Sequence, residues 1–222
     1  FAGSRYNVTA HDMGGTGKPG ERRDVATCES CHSAEPHGAS VIGLKLNDHV
    51  DRVACQTCHI PTFAKGGVAT KTVWDWSTAG QLKDGKPFVE EGFTQSDGKH
   101  LHTYMSTKGN FTWEENVVPH YAWFDGQVEY TLPGDTIDPT GVVEVNRLSG
   151  SAADPDSRRW PFKRMEGRQA YDTGLNKLVY THVYGPQTAS AFWTNFDWDA
   201  SIKAAMDYVG EPYSGGFDFV DT

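Results

Sequence analysis

Two short boxes hold all four cysteines of the chain, CESCH at residues 28–32 and CQTCH at residues 55–59. Each box ends in a histidine that directly follows its second cysteine. Thiolates and imidazoles are the side chains that bind soft and borderline metals, so both boxes indicate metal or metal-cofactor chemistry. Three arrangements can use these residues, namely disulfides, a four-cysteine zinc site and covalent attachment of haem c.

Disulfides and zinc explain only part of this pattern. Cysteines that form disulfides are usually spread along a chain to close loops, which paired CxxC boxes do poorly. A zinc site requires two CxxC pairs, but the 23 residues between Cys31 and Cys55 slightly exceed the usual gap of about 15–20. Zinc also gives no reason for the two histidines, so a zinc-stabilised binding module is the less favoured alternative.

Attachment of haem c accounts for both the cysteine spacing and the histidines. Each thiol adds to a vinyl group of the porphyrin, and the following imidazole becomes the proximal ligand of the iron. Histidine makes up 9 of 222 residues, so two such placements would coincide by chance in about one case in 600. We therefore predict two haem c groups per chain, with these attachment residues and proximal ligands: Cys28, Cys31, Cys55, Cys58, His32 and His59.

The distal ligands must come from the remaining histidines or from methionines, and a methionine would raise the reduction potential. His37 follows His32 by only five residues, an extended span of about 16–18 Å. Passing around the porphyrin edge would use nearly all of that span, so His37 suits a neighbouring haem better than its own. His49 lies 17 residues after His32 and can return to that iron or reach another. The predicted order is His49, then His37, then His182 on an expected strand.

Composition restricts the partners and the compartment. Acidic residues outnumber basic ones 29 to 20, the net charge is −9 and no basic run occurs, which argues against a nucleic-acid partner. The apolar runs are far too short for a membrane-spanning helix. Haem is generally attached covalently outside the cytoplasm, so we expect a periplasmic or extracellular protein. The start at Phe1, without a methionine, indicates a processed protein or a piece of a larger one.

Three regions are expected to position these residues. Residues 1–24 are polar and Gly-rich and predict an extended arm. Residues 25–67 predict a dihaem segment with little regular structure, since the porphyrins themselves form its core. Residues 68–222 contain all seven tryptophans and no cysteine, and predict a haem-free mixed α+β region of short hairpins and a few short helices, packed on the haems.

Local patterns predict the elements of the last region. YAWFDGQVEY (121–130) predicts a type I′ hairpin with Asp125 and Gly126 in its turn, and KDGK (83–86) and SDGK (96–99) predict further turns. DPTGVVEVNRL and NKLVYTHVYG predict short strands. DASIKAAMDYVG (199–210) predicts a helix that is capped by Asp199 and stopped by Gly210, with one apolar stripe. That stripe consists of Ile202, Ala205, Met206 and Val209.

Several stretches outside the boxes resemble the octahaem tetrathionate reductase family of multihaem c-type cytochromes. They are CQTCHIPTFAKGG, WDWSTAG, KGNFTWEENVVPHYAWF, RRWPFKRMEGRQAYD, AFWTNFDW and GEPYSGGFDFVDT. The similarity covers most of residues 20–222 and supports the same six attachment and proximal residues. Such proteins pass electrons along a chain of haems. They reduce tetrathionate, and in some members nitrite or hydroxylamine, at one haem with a lysine as distal ligand.

The resemblance also implies partners and leaves the enzymatic role open. Two boxes stand where the family has eight, which implies an internal or C-terminal portion that works with other haem-bearing chains or segments and with redox partner proteins. Electron relay through the haems is the favoured function. The alternative is reduction of tetrathionate, nitrite or hydroxylamine at a haem with an open or lysine-ligated distal position. Lys163 and Lys108 are the candidates for that lysine.

Overall fold

A computed structural model describes residues 28, 32–33, 35–185 and 189–222. The predicted arm at 1–24 and Cys31 lie outside the described residues. The chain forms two compact units. The first combines the described residues up to Pro61 with Pro119–Glu129 and Arg147–Phe162, and the second consists of Thr62–Val118, Tyr130–Asn146 and Lys163–Thr222. The sequence-based division into 25–67 and 68–222 stays a prediction.

The described residues form a few helices and many short strands, which confirms the predicted fold class. The α-helices are α1 (Val41–His49), α2 (Cys55–His59), α3 (Phe192–Asn195) and α4 (Trp198–Val209). None of these helices is long and apolar enough to cross a membrane. The strands are β1 (Thr70–Asp75), β2 (Leu82–Lys83), β3 (Lys86–Pro87), β4 (Val89–Glu90), β5 (Phe93–Thr94), β6 (His100–Leu101), β7 (Tyr104–Met105), β8 (Gly109–Glu114), β9 (His120–Phe124), β10 (Val128–Tyr130), β11 (Asn146–Leu148), β12 (Arg158–Phe162), β13 (Glu166–Asp172), β14 (Lys177–Leu178) and β15 (Phe217–Asp221).

A mixed sheet of order β14-β13-β1-β8-β7-β4 organises the second unit, and β15 also pairs with β13. The β1–β13 pair is parallel and its other pairs are antiparallel. Helix α4 buries Ile202 and Met206 against Ala170 of β13 and the neighbouring aromatic rings. This packing removes the apolar stripe of an otherwise polar helix from water, which is the main source of helix stability in a folded domain.

A two-stranded antiparallel ribbon of β9 and β12 lies in the first unit, together with helices α1 and α2. Tyr121 to Phe124 pair with Pro161 to Arg158 in register. The guanidinium carbons of Arg52 and Arg159 lie 4.8 Å and 5.6 Å from the ring centre of Trp123 on this ribbon. The contact of Arg52 holds the segment that precedes helix α2 near the ribbon, whereas Arg159 lies on strand β12 of the ribbon itself.

The turn chemistry is confirmed at two of the three Asp-Gly pairs. Asp84 and Gly85 both have positive φ, and β2 and β3 form the two-residue hairpin that such a turn closes. Residues 95–99 connect β5 and β6, and the Gly98 N–H donates to the Gln95 carbonyl oxygen across the turn at 2.8 Å. The hairpin predicted at Asp125-Gly126 is wrong, because β9 pairs with β12 and β10 pairs with β11. Only Gly126 has positive φ there, whereas a type I′ turn needs it at both central residues.

The long helix is confirmed, but its cap is not the predicted residue. Helix α4 begins at Trp198, and the extended residue before it, Asp197, accepts a hydrogen bond from the Ala200 N–H at 3.1 Å. The prediction of Asp199 as the cap is therefore wrong, and its carboxylate instead accepts from the Tyr213 hydroxyl at 2.9 Å. Gly210 ends the helix with φ 76°, as predicted.

The predicted apolar stripe of helix α4 and the two predicted strands are longer than those in the structure. Ile202 and Met206 are buried, Ala205 is half-buried, and Val209 is 44% exposed at the end of helix α4. In the two predicted strand sequences, regular structure is limited to β11 and β14. His182 consequently lies in an irregular stretch and not on a strand, since its backbone N–H donates to Ser201 of helix α4 and not to a neighbouring strand.

Candidate haem-binding site

The CQTCH box forms helix α2, and hydrogen bonds to the backbone of Arg159 connect it to strand β12. The carbonyl oxygen of Arg159 accepts from the Ala54 N–H at 3.0 Å and from the Thr57 hydroxyl at 2.6 Å. In return, the Arg159 N–H donates to the Arg52 carbonyl at 2.8 Å. The box therefore has a fixed position within its unit although it is only a short helix.

Helical spacing places the reactive side chains of this box on one face. Cys55, Cys58 and His59 occupy positions i, i+3 and i+4, which are neighbours on a helix surface. Cys55 is half-buried, while Cys58 and His59 are exposed. Two thiols and an imidazole on one accessible helix face are the arrangement that haem c attachment requires.

The imidazole of His37 lies opposite that of His59. The two ring centres are 6.3 Å apart and the ring planes differ by 15°. Imidazole nitrogens bind metals at about 2.0–2.1 Å, so two imidazoles on opposite sides of one iron have ring centres about 6.2–6.4 Å apart. This separation also falls within the range of about 4.5–7 Å for offset-stacked rings, so a second contact must distinguish the two arrangements.

That second contact is made by Asn47 of helix α1. The Nδ1 atom of His37 lies 2.9 Å from the Asn47 side-chain oxygen. A histidine that binds a metal through one ring nitrogen usually donates the other ring N–H to an acceptor of this kind. The pair of His37 and His59, with an acceptor behind His37, therefore fits a six-coordinate haem iron.

Helix α1 packs closely on the segment that carries His37. The helix begins after Ser40, whose hydroxyl oxygen accepts from the Gly43 N–H at 3.0 Å. A Cβ atom on Gly43 would lie 1.8 Å from the carbonyl oxygen of Gly38. Glycine is therefore the residue that allows the helix and the His37 segment to approach this closely.

Large apolar side chains are exposed on the same segment. A soluble protein rarely leaves several such side chains uncovered near one another, and a porphyrin face is a large apolar surface that would cover them. The haem segment therefore fits haem in its apolar lining as well as in its ligands. The exposed residues are Val41, Ile42, Leu44, Leu46 and Ile60.

The other predicted ligands are placed separately. His32 is exposed and Cys28 is half-buried. His49 is exposed at the end of helix α1. His182 is half-buried, with Nδ1 3.1 Å from the Ser190 hydroxyl. Within the described ranges, His37 and His59 are the histidines whose rings face each other.

The zinc alternative receives no support from the part of the chain that the structure describes. Among those residues, which leave out Cys31, no three Cys, His, Asp or Glu side chains come close enough to hold a metal ion.

The two lysines named from the sequence lie near a third, Lys71, in the second unit. Lys71 is paired across the sheet with Trp113, and its amine lies 3.8 Å from the ring centre of Phe111 and 4.5 Å from that of Trp74. Partial burial lowers the pKa of this amine below 10.5, and the charges of Lys108 and Lys163 lower it further. No sequence pattern indicated Lys71, because its surroundings depend on the pairing of β1 with β8.

Comparison with known proteins shows which family and fold this chain resembles. A family model described as bacterial cytochrome c matches residues 71–222. The fold is similar to the crystal structure of an octaheme cytochrome c from Shewanella oneidensis, with a TM-score of 0.74 and 40% sequence identity. The match covers 88% of this chain and 42% of that chain, so the present chain spans less than half of that protein's length. No curated protein matches the chain. These matches confirm the resemblance to octahaem cytochromes seen in the sequence.

Proposed function

Because the chain belongs to the bacterial cytochrome c family, we propose that it carries electrons through covalently bound haem c in a multihaem protein similar to octaheme cytochrome c. When bound, haem supplies an iron that alternates between Fe(III) and Fe(II) and so takes up and passes on one electron. The proposal includes two haems per chain. Their attachment and proximal residues would be Cys28, Cys31 and His32 for one, and Cys55, Cys58 and His59 for the other.

The arrangement of His37 and His59 is the main observation that supports this proposal. Two imidazoles at 6.3 Å, with nearly parallel planes, would occupy both axial positions of one iron. An iron with two protein ligands has no position left for a substrate and can only exchange electrons. Relay is therefore favoured over catalysis at this haem, and His37 would be its distal ligand, which agrees with the expectation that His37 suits a haem other than that of His32.

The catalytic alternative requires a haem with an open or lysine-ligated position. The lysines at 71, 108 and 163 lie in the unit that does not contain the CQTCH box. The amine of Lys71 is placed over aromatic rings, and the amine of Lys163 donates to the Thr70 hydroxyl at 2.8 Å. These contacts are those of structural lysines, so they do not favour reduction of a substrate.

The remaining parts of the proposal concern location and partners. Bacterial c-type cytochromes are typically periplasmic, and we place this protein in the periplasm or outside the cell. Its partners would be further haems, on flanking segments or on other chains, together with redox proteins. A chain of closely spaced haems needs such an entry and exit for electrons.

Counting the haems and measuring ligand binding test the proposal. The mass of the purified holoprotein and the haem absorbance of the denatured protein should give two haems per chain. The His37→Ala variant should convert one low-spin haem to high-spin, and its reduced form should bind one more equivalent of CO than the wild type. The His100→Ala variant is the control, because His100 is an exposed histidine that contacts the Thr94 hydroxyl.

Three results would overturn parts of the proposal. Unmodified cysteines would exclude haem c. Equal CO binding by the wild type and the His37→Ala variant would exclude His37 as a ligand. Rapid reoxidation of the reduced wild type by tetrathionate, nitrite or hydroxylamine would replace the relay with the reductase alternative.

A further inference from the structure

Asn47 contacts His37 through three hydrogen bonds. Its side-chain oxygen accepts from the backbone N–H of His37 at 3.1 Å and lies 2.9 Å from the ring nitrogen Nδ1. Its side-chain amide donates to the carbonyl oxygen of His37 at 3.2 Å. One side chain thus holds both the backbone and the ring of the histidine that faces His59.

The backbone contacts fix which end of the Asn47 amide faces the ring. A backbone N–H can only donate and a backbone carbonyl can only accept. If the amide were rotated by 180°, its NH₂ group would face the N–H of His37, and its oxygen would face the carbonyl. Both contacts would then be repulsive, so the orientation with Oδ1 towards the ring follows from hydrogen bonding alone.

This orientation determines the tautomer of His37. Because Oδ1 of Asn47 can only accept, Nδ1 of the ring must carry the proton. A neutral imidazole that is protonated at Nδ1 has its free lone pair at Nε2. Nε2 is therefore the atom of His37 that is available to bind iron.

Helix α1 places Asn47 where it can make this contact. Gly43 and Asn47 are four residues apart and therefore lie on the same face of the helix. Gly43 allows the segment around Gly38 to approach that face, and Asn47 then reaches His37 on the same segment. The ring plane of His37 is consequently set by the helix and not by the short segment that carries it.

From these contacts we propose that Asn47 is a positioning residue for the distal haem ligand: it selects Nε2 of His37 for the iron, holds the ring plane and lowers the reduction potential of that haem. The inference rests on the proposed ligation of the His59 haem by His37. An acceptor behind the ring makes the imidazole a stronger donor, which favours Fe(III) over Fe(II). This role concerns one residue of helix α1 that no haem motif contains.

The test compares two variants in the holoprotein. Asn47→Leu removes the acceptor with little change of volume. We expect the two axial ligands to favour Fe(III) over Fe(II) about tenfold less than in the wild type. This corresponds to a reduction potential about 59 mV higher for a one-electron couple. The low-spin EPR signal of that haem should also broaden, because the ring plane is no longer fixed. Asn47→Asp keeps the acceptor and should show a potential equal to or below that of the wild type.

Ser40→Ala is the control for a purely structural effect. It removes the N-cap of the same helix and should lower the melting temperature, but it leaves the contact between Asn47 and His37 in place. Its potentials and EPR signals should match the wild type. If Asn47→Leu also matches the wild type while His37→Ala produces a high-spin haem, the positioning role is wrong and the ligation stands. If His37→Ala leaves the spectrum unchanged, the ligation itself is wrong.

Discussion

The hydroxyl of Thr57 donates to the carbonyl oxygen of Arg159 at 2.6 Å, which connects the centre of the CQTCH box to a strand 102 residues later in the chain. Thr57 is one of the two variable residues of the box, and the haem c signature places no requirement on it. The position of the box therefore depends on a contact that lies outside the signature.

Replacing Thr57 by valine should destabilise this part of the protein. Valine has nearly the same shape but no hydroxyl, so one hydrogen bond to Arg159 is lost while the Ala54 N–H still donates there. The expected loss is about 1 kcal/mol, or about 2–4 °C in Tm for a chain of this size. Thr57→Ser keeps the hydroxyl and should melt close to the wild type. Equal melting of the two variants would contradict the prediction.

Replacing Gly43 by alanine should also destabilise the protein, although alanine favours a helix by about 1 kcal/mol. The added Cβ would lie 1.8 Å from the Gly38 carbonyl oxygen, so the segment that carries His37 must move. We expect a net loss of about 1–3 kcal/mol and a changed low-spin spectrum at one haem. Gly141→Ala is the matched control, because a Cβ at Gly141 meets nothing within 4 Å. A Gly43→Ala variant with wild-type stability and spectrum would show that the helix does not position His37.

Local chemistry predicted the turns better than it predicted strand pairing. Asp84-Gly85 and Asp125-Gly126 have the same sequence signal, yet only the first closes a two-residue hairpin. Strand β9 pairs with β12, more than 30 residues later, and strand preferences depend on packing against such cross-strand and same-face neighbours. Such a choice depends on the whole fold and cannot be derived from a short window of sequence.

In the candidate site, too, the sequence predicted the local features but not those that depend on the whole fold. The spacing within each box is enough to predict the attachment residues, since that chemistry is local. The pairing of His37 with His59 was consistent with the reach of the chain, but the sequence ranked His49 higher. Asn47 could not be found from the sequence, because its role depends on helix α1 packing against the segment ten residues before it.

The buried carboxylate of Asp172 should make stability depend on acid pH. Burial alone would raise its pKa, but hydrogen bonds from Ser214, Leu175 and Gly174 outweigh it and hold the pKa below 3.8. The ionised group therefore contributes stability above pH 3.8, and this contribution is lost as pH falls through the lower folded-state pKa. Denaturant unfolding of the wild type should show this loss, and Asp172→Asn should show a flatter dependence on pH.

The same substitution should lower stability at neutral pH by about 2–4 kcal/mol. Asp172 is 1% exposed, and the amide of asparagine would turn a donor towards either the Ser214 N–H or the donors of the neighbouring turn. Asp138→Asn is the control, since Asp138 makes similar bonds to Thr140 at an exposed site. Equal losses in the two variants would mean that burial of Asp172 is unimportant.

The amine of Lys71 should react faster with acylating reagents than a lysine amine with the ordinary pKa of 10.5. Partial burial, followed by the charges of Lys108 and Lys163, lowers its pKa below 10.5. At a given pH, a larger fraction of this amine is therefore neutral than of an ordinary lysine amine. Competitive labelling across pH, read by peptide mass spectrometry, should give a midpoint below 10.5. Lys108→Met removes one of the repelling charges and should move that midpoint upwards. A midpoint that does not respond would show that the lysines do not interact.

His49 should be the ligand of a haem other than the one between His37 and His59. Ile42, Leu46 and His49 occupy positions i, i+4 and i+7 of helix α1, so they share one face, and Ile42 is 72% exposed. Gly43 and Asn47 lie on a different face, which packs on the His37 segment. A porphyrin that covers the exposed stripe would bring its iron near the His49 imidazole.

His49→Ala should therefore convert one low-spin haem to high-spin, and the variant with both His37→Ala and His49→Ala should convert two. Asp48→Ala, the neighbouring exposed position, should leave the spectrum unchanged. If the double variant has only as much high-spin haem as His37→Ala alone, His49 does not ligate a second iron in this chain.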